Sequence, residues 1–249
     1  MANIASGNTI AAVGRLVGEP ARANLLAALM GGQALTAGEL AHHAGVTPQT
    51  TSGHLARLAD ARLIICEQQG RHRYYRLAGP AVADAIHALM VVAAGGPRRH
   101  HPVGPRDAAL RLARTCYDHM AGRLAIAVAD ALSAAGHVVL ADGAGLVSDE
   151  GRRFFRDFGI DLDAPALTRR PLCRTCLDWS ERRPHLAGRL GAGLLGRLID
   201  LGWVRRSAGT RALSVTPAGE PGMRATFGLP SDWRVADNAP AWIEREHGQ

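Results

Sequence analysis

Residues 35–64 read LTAGELAHHAGVTPQTTSGHLARLADARLI, and this stretch decides the fold of the first third of the chain. Thr36 with Glu39 three residues on is a capping box, in which the hydroxyl accepts an early helical N–H and the carboxylate reaches back to the cap. A short helix is predicted over Ala37–Ala44, closed by Gly45, which takes a left-handed conformation at little cost. Thr47 before Pro48 opens a longer helix over residues 48–61, because the proline has no N–H to leave unsatisfied. The pattern is helix, tight turn, helix. On the second helix Thr51, Leu55 and Leu58 share an inward stripe, which leaves Gln49, Thr50, Gly53 and Arg57 outward and Ser52 and His54 at the edges.

Residues 20–30 form a further helix upstream. Downstream, residues 63–67 and 73–77 flank the turn-prone Gln69-Gly70-Arg71, a hairpin with Arg71, Arg73 and Arg76 around its tip. Cys66, in the apolar first strand, is expected to be a small core residue. Residues 82–94 form a helix apolar around most of its circumference, which needs burial on more than one side, as at a dimer interface. A helix-turn-helix places its second helix in the DNA major groove, where glutamine can bond adenine bidentately, and a basic hairpin beside it reaches along the phosphates.

With the hairpin QQGRHRYYRLAG (residues 68–79), this region resembles the winged helix-turn-helix of the ArsR/SmtB family of bacterial repressors. The resemblance covers about residues 8–93 and is carried by H-L-x-x-L together with G-R-x-R-Y-Y-x-L. It implies a homodimer, formed through the first and last helices of the domain, that sits on a palindromic operator until an inducer binds. The candidate DNA-binding residues are Thr47, Gln49, Thr50, Ser52, His54 and Arg57 on the recognition helix and Arg71, Arg73 and Tyr74 on the wing. There are departures. Thr36 and Gly38 stand where many metal-sensing relatives carry paired thiols. Asp84, His87, His100 and His101 match the last-helix zinc pattern of other relatives poorly, and His87 is expected to be a partly buried interface histidine.

The 249 residues are 47% apolar and 20% charged, which suits one large or two medium globular domains and excludes intrinsic disorder. The apolar run 81–94 is interrupted by Asp84 and His87 and is shorter than the ~20 residues of a membrane span, and no signal-peptide pattern opens the chain. A cytoplasmic protein with no membrane partner is expected. All 29 basic side chains are arginine against 22 acids, and the net charge of +7 favours an anionic partner such as nucleic acid. Four cysteines in a chain of this length are read as reduced thiols.

Three prolines in residues 95–105 break any continuous helix and mark a linker. The expected organisation is a winged-helix and dimerisation domain over 1–95, a linker over 96–107, a second domain over 108–231 and an irregular tail over 232–249. The fold class is mainly α with small β-hairpins (α+β).

The second domain contains an internal repeat. Arg114-Thr115-Cys116-Tyr117-Asp118 and His119-Met120-Ala121-Gly122-Arg123-Leu124 return as Arg174-Thr175-Cys176-Leu177-Asp178 and His185-Leu186-Ala187-Gly188-Arg189-Leu190. The match continues through Leu132, Gly136 and Val138 against Leu198, Gly202 and Val204, and ends at Phe158-Gly159 against Phe227-Gly228. Each copy is predicted to be a helix opened by H-x-A-G-R-L, then a short hairpin and a final turn with an aromatic. Folding explains repeated leucines and glycines but requires no repeated thiol, carboxylate and imidazole.

The candidate metal or effector residues are Cys116, Asp118, His119, Cys173, Cys176, Asp178 and His185. Thiolate and neutral imidazole are the donors preferred by zinc and other soft ions, and on a helix Cys116 and His119 would share a face. Cys173-Arg174-Thr175-Cys176 is a spacing that closes two sulfurs on one ion, so a site of Cys116, Cys173 and Cys176 with His119 or His185 is one reading. A small-molecule effector pocket and purely structural hydrogen bonding are the others. A redox-sensing C-x-x-C is a further alternative. A thiol or metal enzyme is less favoured, because no phosphate loop, G-x-S-x-G or H-E-x-x-H accompanies these residues, and the chain is not expected to be an enzyme. The function expected is a homodimeric DNA-binding repressor released by a metal ion or small molecule bound to the second domain.

Overall fold

The computed structural model describes residues 6–69, 72–95, 105–141, 143–164 and 170–235. Two compact units are present, one reaching to Val92 and the other starting at Ala93.

The first unit runs α1 (Gly7–Val17), α2 (Pro20–Leu29), β1 (Leu35–Thr36), α3 (Ala37–Ala44), α4 (Pro48–Asp60), β2 (Ile64–Gln69), β3 (His72–Leu77) and α5 (Pro80–Gly95). The helix starts follow from their caps. The Glu19 carboxylate accepts from the Ala21 and Arg22 N–H groups at 3.1 and 2.9 Å and opens α2. Thr36 and Glu39 form the capping box of α3, Gly45 ends it at φ 68°, and Thr47 caps α4. Leu25, Leu26, Leu29, Leu40, Leu55, Leu58, Ile64 and Leu77 form the core, each at most 1% exposed and each stabilising by roughly 1.5–3 kcal/mol.

The sheet order is β1-β3-β2, all antiparallel. The two-residue β1 pairs Leu35 with Tyr75 and Thr36 with Tyr74, so the residue that caps α3 also anchors the base of the wing. Burial falls away along β2 after Ile64, and Cys66 is exposed, contrary to the expected core position, because the hairpin leaves the core there.

The second unit runs α6 (Pro105–Leu112), β4 (Arg114–Cys116), β5 (His119–Ala121), α7 (Arg123–Ala134), β6 (Val138–Ala141), β7 (Ala144–Val147) and α8 (Asp149–Asp157). It continues through β8 (Arg174–Leu177), β9 (Pro184–Ala187), α9 (Gly188–Asp200), β10 (Val204–Arg206), β11 (Leu213–Val215) and α10 (Gly219–Phe227). Each copy of the repeat is thus hairpin, helix, hairpin, helix. The H-x-A segments are strands rather than helix openings, and Cys116 faces His119 across the first hairpin as Cys176 faces His185 across its counterpart. The final turns are nine-residue helices whose ends bring Phe158 and Phe227 to 5.3 Å between ring centroids.

The strand-to-helix corners explain one repeated glycine. Gly122 and Gly188 sit at φ 86° and 81°, and a Cβ on either would lie 2.7 Å from the Arg111 carbonyl oxygen or 2.8 Å from that of Pro171. The two copies interlock, with α9 packed on β5, α7 packed on β9, and β5 beside β9. Leu124, Val128, Leu132 and Phe155 share one core with Leu190, Leu194, Leu198 and Met223.

Of the expected linker, residues 96–104 lie outside the described residues, and α6 already begins at Pro105. Residues 236–249 of the expected tail also lie outside. Trp233 does not fit an irregular tail: it is buried, and its indole N–H donates to Glu220 Oε1 at 3.0 Å. Among the described residues no helix is long and apolar enough to cross a membrane.

Candidate nucleic-acid interface and metal centre

On α4 the inward stripe Thr51, Leu55 and Leu58 is buried, and this packing turns Gln49, Thr50, Ser52, Gly53 and Arg57 to solvent. Thr47 is exposed at the helix start and accepts from the Thr50 N–H at 3.2 Å. Ser52 donates to the Pro48 carbonyl at 3.0 Å and keeps its lone pairs outward. The start of the helix is therefore a polar ridge rich in hydroxyl and amide groups. Arg73 is exposed on β3, and Tyr74 is half-buried between Thr36 and Glu67. Arg71 lies outside the described residues. Arg76, part of the basic tip in the sequence, is held by Glu67 at 3.0 Å and contributes little net charge to it.

His54 departs from the expected role. Its Nδ1 lies 3.4 Å from Arg22 Nη1 and 3.6 Å from Glu19 Oε2, so the ring is turned toward α2 rather than outward. Arg22 carries no motif in the sequence, yet it is buried and donates to the Leu16 and Arg15 carbonyls at the end of α1, at 2.6 and 3.0 Å. The available signal was Glu19-Pro20-Ala21-Arg22, where a glutamate that caps a helix also meets an arginine one turn later. On α5, His87 is half-buried, as expected.

In the second unit the interlocked hairpins bring Cys116, His119, Cys176 and His185 together, with one ligand-type atom from each within 4.8 Å of all the others. Each copy of the repeat supplies one thiol and one imidazole. The sulfurs are 4.0 Å apart, and the imidazole centroids are 5.1 Å apart. Tetrahedral zinc with bonds of ~2.3 Å to sulfur would set two sulfurs about 3.8 Å apart.

Polar satisfaction points the same way. His119 Nε2 and both ring nitrogens of His185 are buried without a hydrogen-bond partner, a cost that an ion would remove. His119 Nδ1 meets Asp118 Oδ1 at 3.1 Å, and Arg170 holds that carboxylate, with Nη2 2.7 Å from Oδ1. A carboxylate behind a histidine in this way fixes the ring and leaves the far nitrogen for a metal.

The titration behaviour suits a ligand set. The Cys176 thiol, followed by His119 and His185, holds Cys116 well below the ordinary thiol range against the opposing effect of burial. Cys176 retains the shared proton and is pushed up, so one thiolate is ready and the second is released on metal binding. Burial pushes His185 down and keeps it neutral, the form that ligates.

Three sequence candidates stand outside the cluster. Cys173 is buried beside Gly145, where a Cβ would fall 2.5 Å from the Cys173 sulfur, and burial raises the pKa of this thiol to about 11. Asp178 is fully buried and accepts from Arg114 Nη2 at 2.8 Å, the Gly122 N–H at 2.6 Å and the Ser180 N–H at 2.8 Å, so it braces the site rather than ligating. Asp118 acts through His119. The C-x-x-C pairing is thus replaced by one cysteine from each repeat, because β8 carries Cys176 inward while Cys173 precedes the strand.

Comparison with known proteins decides the family. Residues 17–67 match the family described as "Helix-turn-helix domain". The uncharacterized HTH-type transcriptional regulator YdfF of Bacillus subtilis is 40% identical over 211 residues, which cover 85% of this chain and 93% of YdfF. The chain belongs to the ArsR-like HTH-type transcriptional regulators. Another such regulator, CmtR of Mycobacterium tuberculosis, is 34% identical over 85 residues, covering 34% of this chain and 71% of CmtR. Among solved structures, the cadmium metal-sensor CmtR of the same organism is 31% identical, covering 39% of this chain and 99% of that chain with a TM-score of 0.30. A homodimeric winged helix-turn-helix DNA-binding domain, Mb0332 of Mycobacterium bovis, is 26% identical, covering 41% and 98% with a TM-score of 0.34. This ArsR-like regulator is a DNA-binding protein, and its second unit carries a Cys/His cluster fit to hold a metal ion.

Proposed function

We propose that this regulator is a homodimeric repressor whose second unit binds zinc or another soft divalent ion, and whose hold on its operator changes with that ion. The observation that carries the metal reading is the buried set of two thiols and two imidazoles, one of each from either repeat. Charge supports a divalent ion. Two thiolates and two neutral imidazoles sum to about −2, while the flanking carboxylates of Asp178 and Asp118 are already offset by Arg114 and Arg170. The four-donor set suits a tetrahedral ion, and imidazole favours zinc over ions that prefer an all-thiolate shell. The bound ion supplies binding free energy that ties the two repeats to each other.

The DNA-facing surface is the ridge of Thr47, Gln49, Thr50, Ser52 and Arg57 on α4 with Arg73 and Tyr74 on the wing; Arg71 joins it by its place in the sequence. Hydroxyl and arginine groups there suit phosphates, and Gln49 suits a base edge. The dimer reading is supported by apolar side chains left exposed on the first and last helices, Ile10 and Val13 on α1 and Leu89 and Val92 on α5. Ion binding acts by population shift, favouring a dimer whose α4 helices do or do not match half-sites ~34 Å apart.

A gel-shift titration of the full chain on DNA from its own promoter, with zinc added or with a chelator, tests this. A zinc-dependent change in operator affinity that disappears in Cys116→Ser is expected. An affinity identical in zinc and chelator overturns the effector assignment.

A further inference from the structure

The two sulfurs of the cluster belong to strands 60 residues apart in sequence, yet they lie 4.0 Å from each other with no side chain between them. Cys116 is 4% exposed and Cys176 is partly open to solvent, so one sulfur of the pair can be reached from outside while the other stands behind it. Among the four cysteines this arrangement is particular to the pair. Cys66 is exposed on β2 of the first unit, and Cys173 is buried beside Gly145 outside the cluster.

We propose that Cys116 and Cys176 are an oxidative modification site, at which a hydroperoxide links the two repeats by a disulfide when no ion occupies the thiolates. The proposal rests on the metal reading above, since it makes the ion and the disulfide alternative occupants of the same sulfur lone pairs. The chemistry balances in two displacements. The thiolate sulfur of the pair attacks one peroxide oxygen, the O–O bond breaks, and a sulfenic acid forms as hydroxide or alkoxide leaves and takes up a proton from water. The other sulfur, still a thiol, then attacks the sulfenic sulfur, the S–S bond forms, the S–O bond breaks, and the oxygen departs as water with the thiol proton. The sulfur pair loses two electrons and the peroxide gains them. His119 and His185 remain as only two ligands, too few to hold an ion, so the cross-linked chain does not take one up. Neither step needs the strands to separate, because the sulfurs close ~2 Å by side-chain rotation to reach bonding distance.

The test uses the full chain, reduced and stripped with a chelator, and exposed to hydrogen peroxide, with a parallel sample loaded with zinc. Free thiols counted after denaturation should fall from four to two in the stripped sample and stay at four in the zinc-loaded one over the same interval. Peptide mapping without reductant should find one intrachain cross-link between Cys116 and Cys176. A Cys66→Ser, Cys173→Ser double variant should give the same cross-link, and mapping of the unaltered chain answers the question even if that variant folds poorly. A cross-link involving Cys173 or Cys66 instead, or over-oxidised Cys176 without a cross-link, overturns the proposal. If the reduced chain binds no zinc but the cross-link forms, the metal reading fails and the oxidation site stands. If zinc binds and peroxide leaves Cys116 and Cys176 unlinked, the reverse holds.

Discussion

Replacing Asp178 by asparagine is the perturbation whose cost the structure specifies best. Asp178 Oδ2 accepts from Arg114 Nη2 and the Gly122 N–H, and its Oδ1 accepts from the Ser180 N–H, the Ser180 hydroxyl and the Glu181 N–H. Arg114 and the Gly122 N–H stand on one side and the Ser180 and Glu181 N–H groups on the other, so the amide NH2 of asparagine meets donors in either orientation. Arg114 is 1% exposed and is left with its charge unpaired. Stranding one member of a buried ion pair costs about 3–5 kcal/mol, which lowers the melting temperature of a domain this size by roughly 10–20 °C. The loss is confined to one reporter: all four tryptophans, Trp179, Trp203, Trp233 and Trp242, lie in the second half of the chain, so tryptophan fluorescence follows that unit in a urea titration. The acid limb provides a second readout. Burial alone would raise the Asp178 pKa, but Arg114 and the Gly122 N–H outweigh it and hold the carboxylate well below its usual range. Its stabilisation is therefore present above the ordinary unfolded value near pH 4 and is lost as the pH falls through the depressed folded value, and Asp178→Asn should flatten that dependence. A variant that melts within 0.5 kcal/mol of the parent, or that keeps the same acid limb, would refute the bracing role.

Further expectations concern DNA and the repeat corners. Arg73→Ala should weaken binding to all sequences alike and reduce the salt slope by about one, measured by gel shift at several salt concentrations; an unchanged slope removes Arg73 from the interface. Gln49→Ala should cost about 1–3 kcal/mol on the operator and relax base preference at one position. His54→Ala, by contrast, should lower the stability of the first unit without altering which base is preferred, and a changed preference would return His54 to the reading surface. Gly188→Ala, with a Cβ 2.8 Å from the Pro171 carbonyl and φ at 81°, should destabilise the second unit by about 1–3 kcal/mol in the same urea assay, and a neutral result would show that the corner relaxes.

The winged helix was legible because its signals are local. The capping box, Gly45 and Thr47-Pro48 each act within one turn of chain, and the structure places α3, the turn and α4 where these residues put them. The second unit was legible only in part. Its repeat and its thiol and imidazole inventory show in the residues, but strands β4 and β5 are three residues long and joined at Tyr117 with φ 61°, a turn without glycine, so a spacing of three reads as helix. The C-x-x-C misled for a related reason. Linear spacing reports neighbours along the chain, whereas the pairing of Cys116 with Cys176 is created by interlocked hairpins and is purely tertiary. The inward turn of His54 has the same origin, since it depends on Arg22 and Glu19 of another helix.

The most direct measurement is metal content and ligand field on the full chain purified reduced and without chelator. One divalent ion per chain is expected, replaceable by cobalt with a tetrahedral spectrum that includes sulfur-to-metal charge transfer, and lost in Cys116→Ser and in His185→Ala but kept in Cys173→Ser. A chain that binds no ion, or one whose ion survives loss of Cys116 and departs with Cys173, would contradict a site shared between the two repeats.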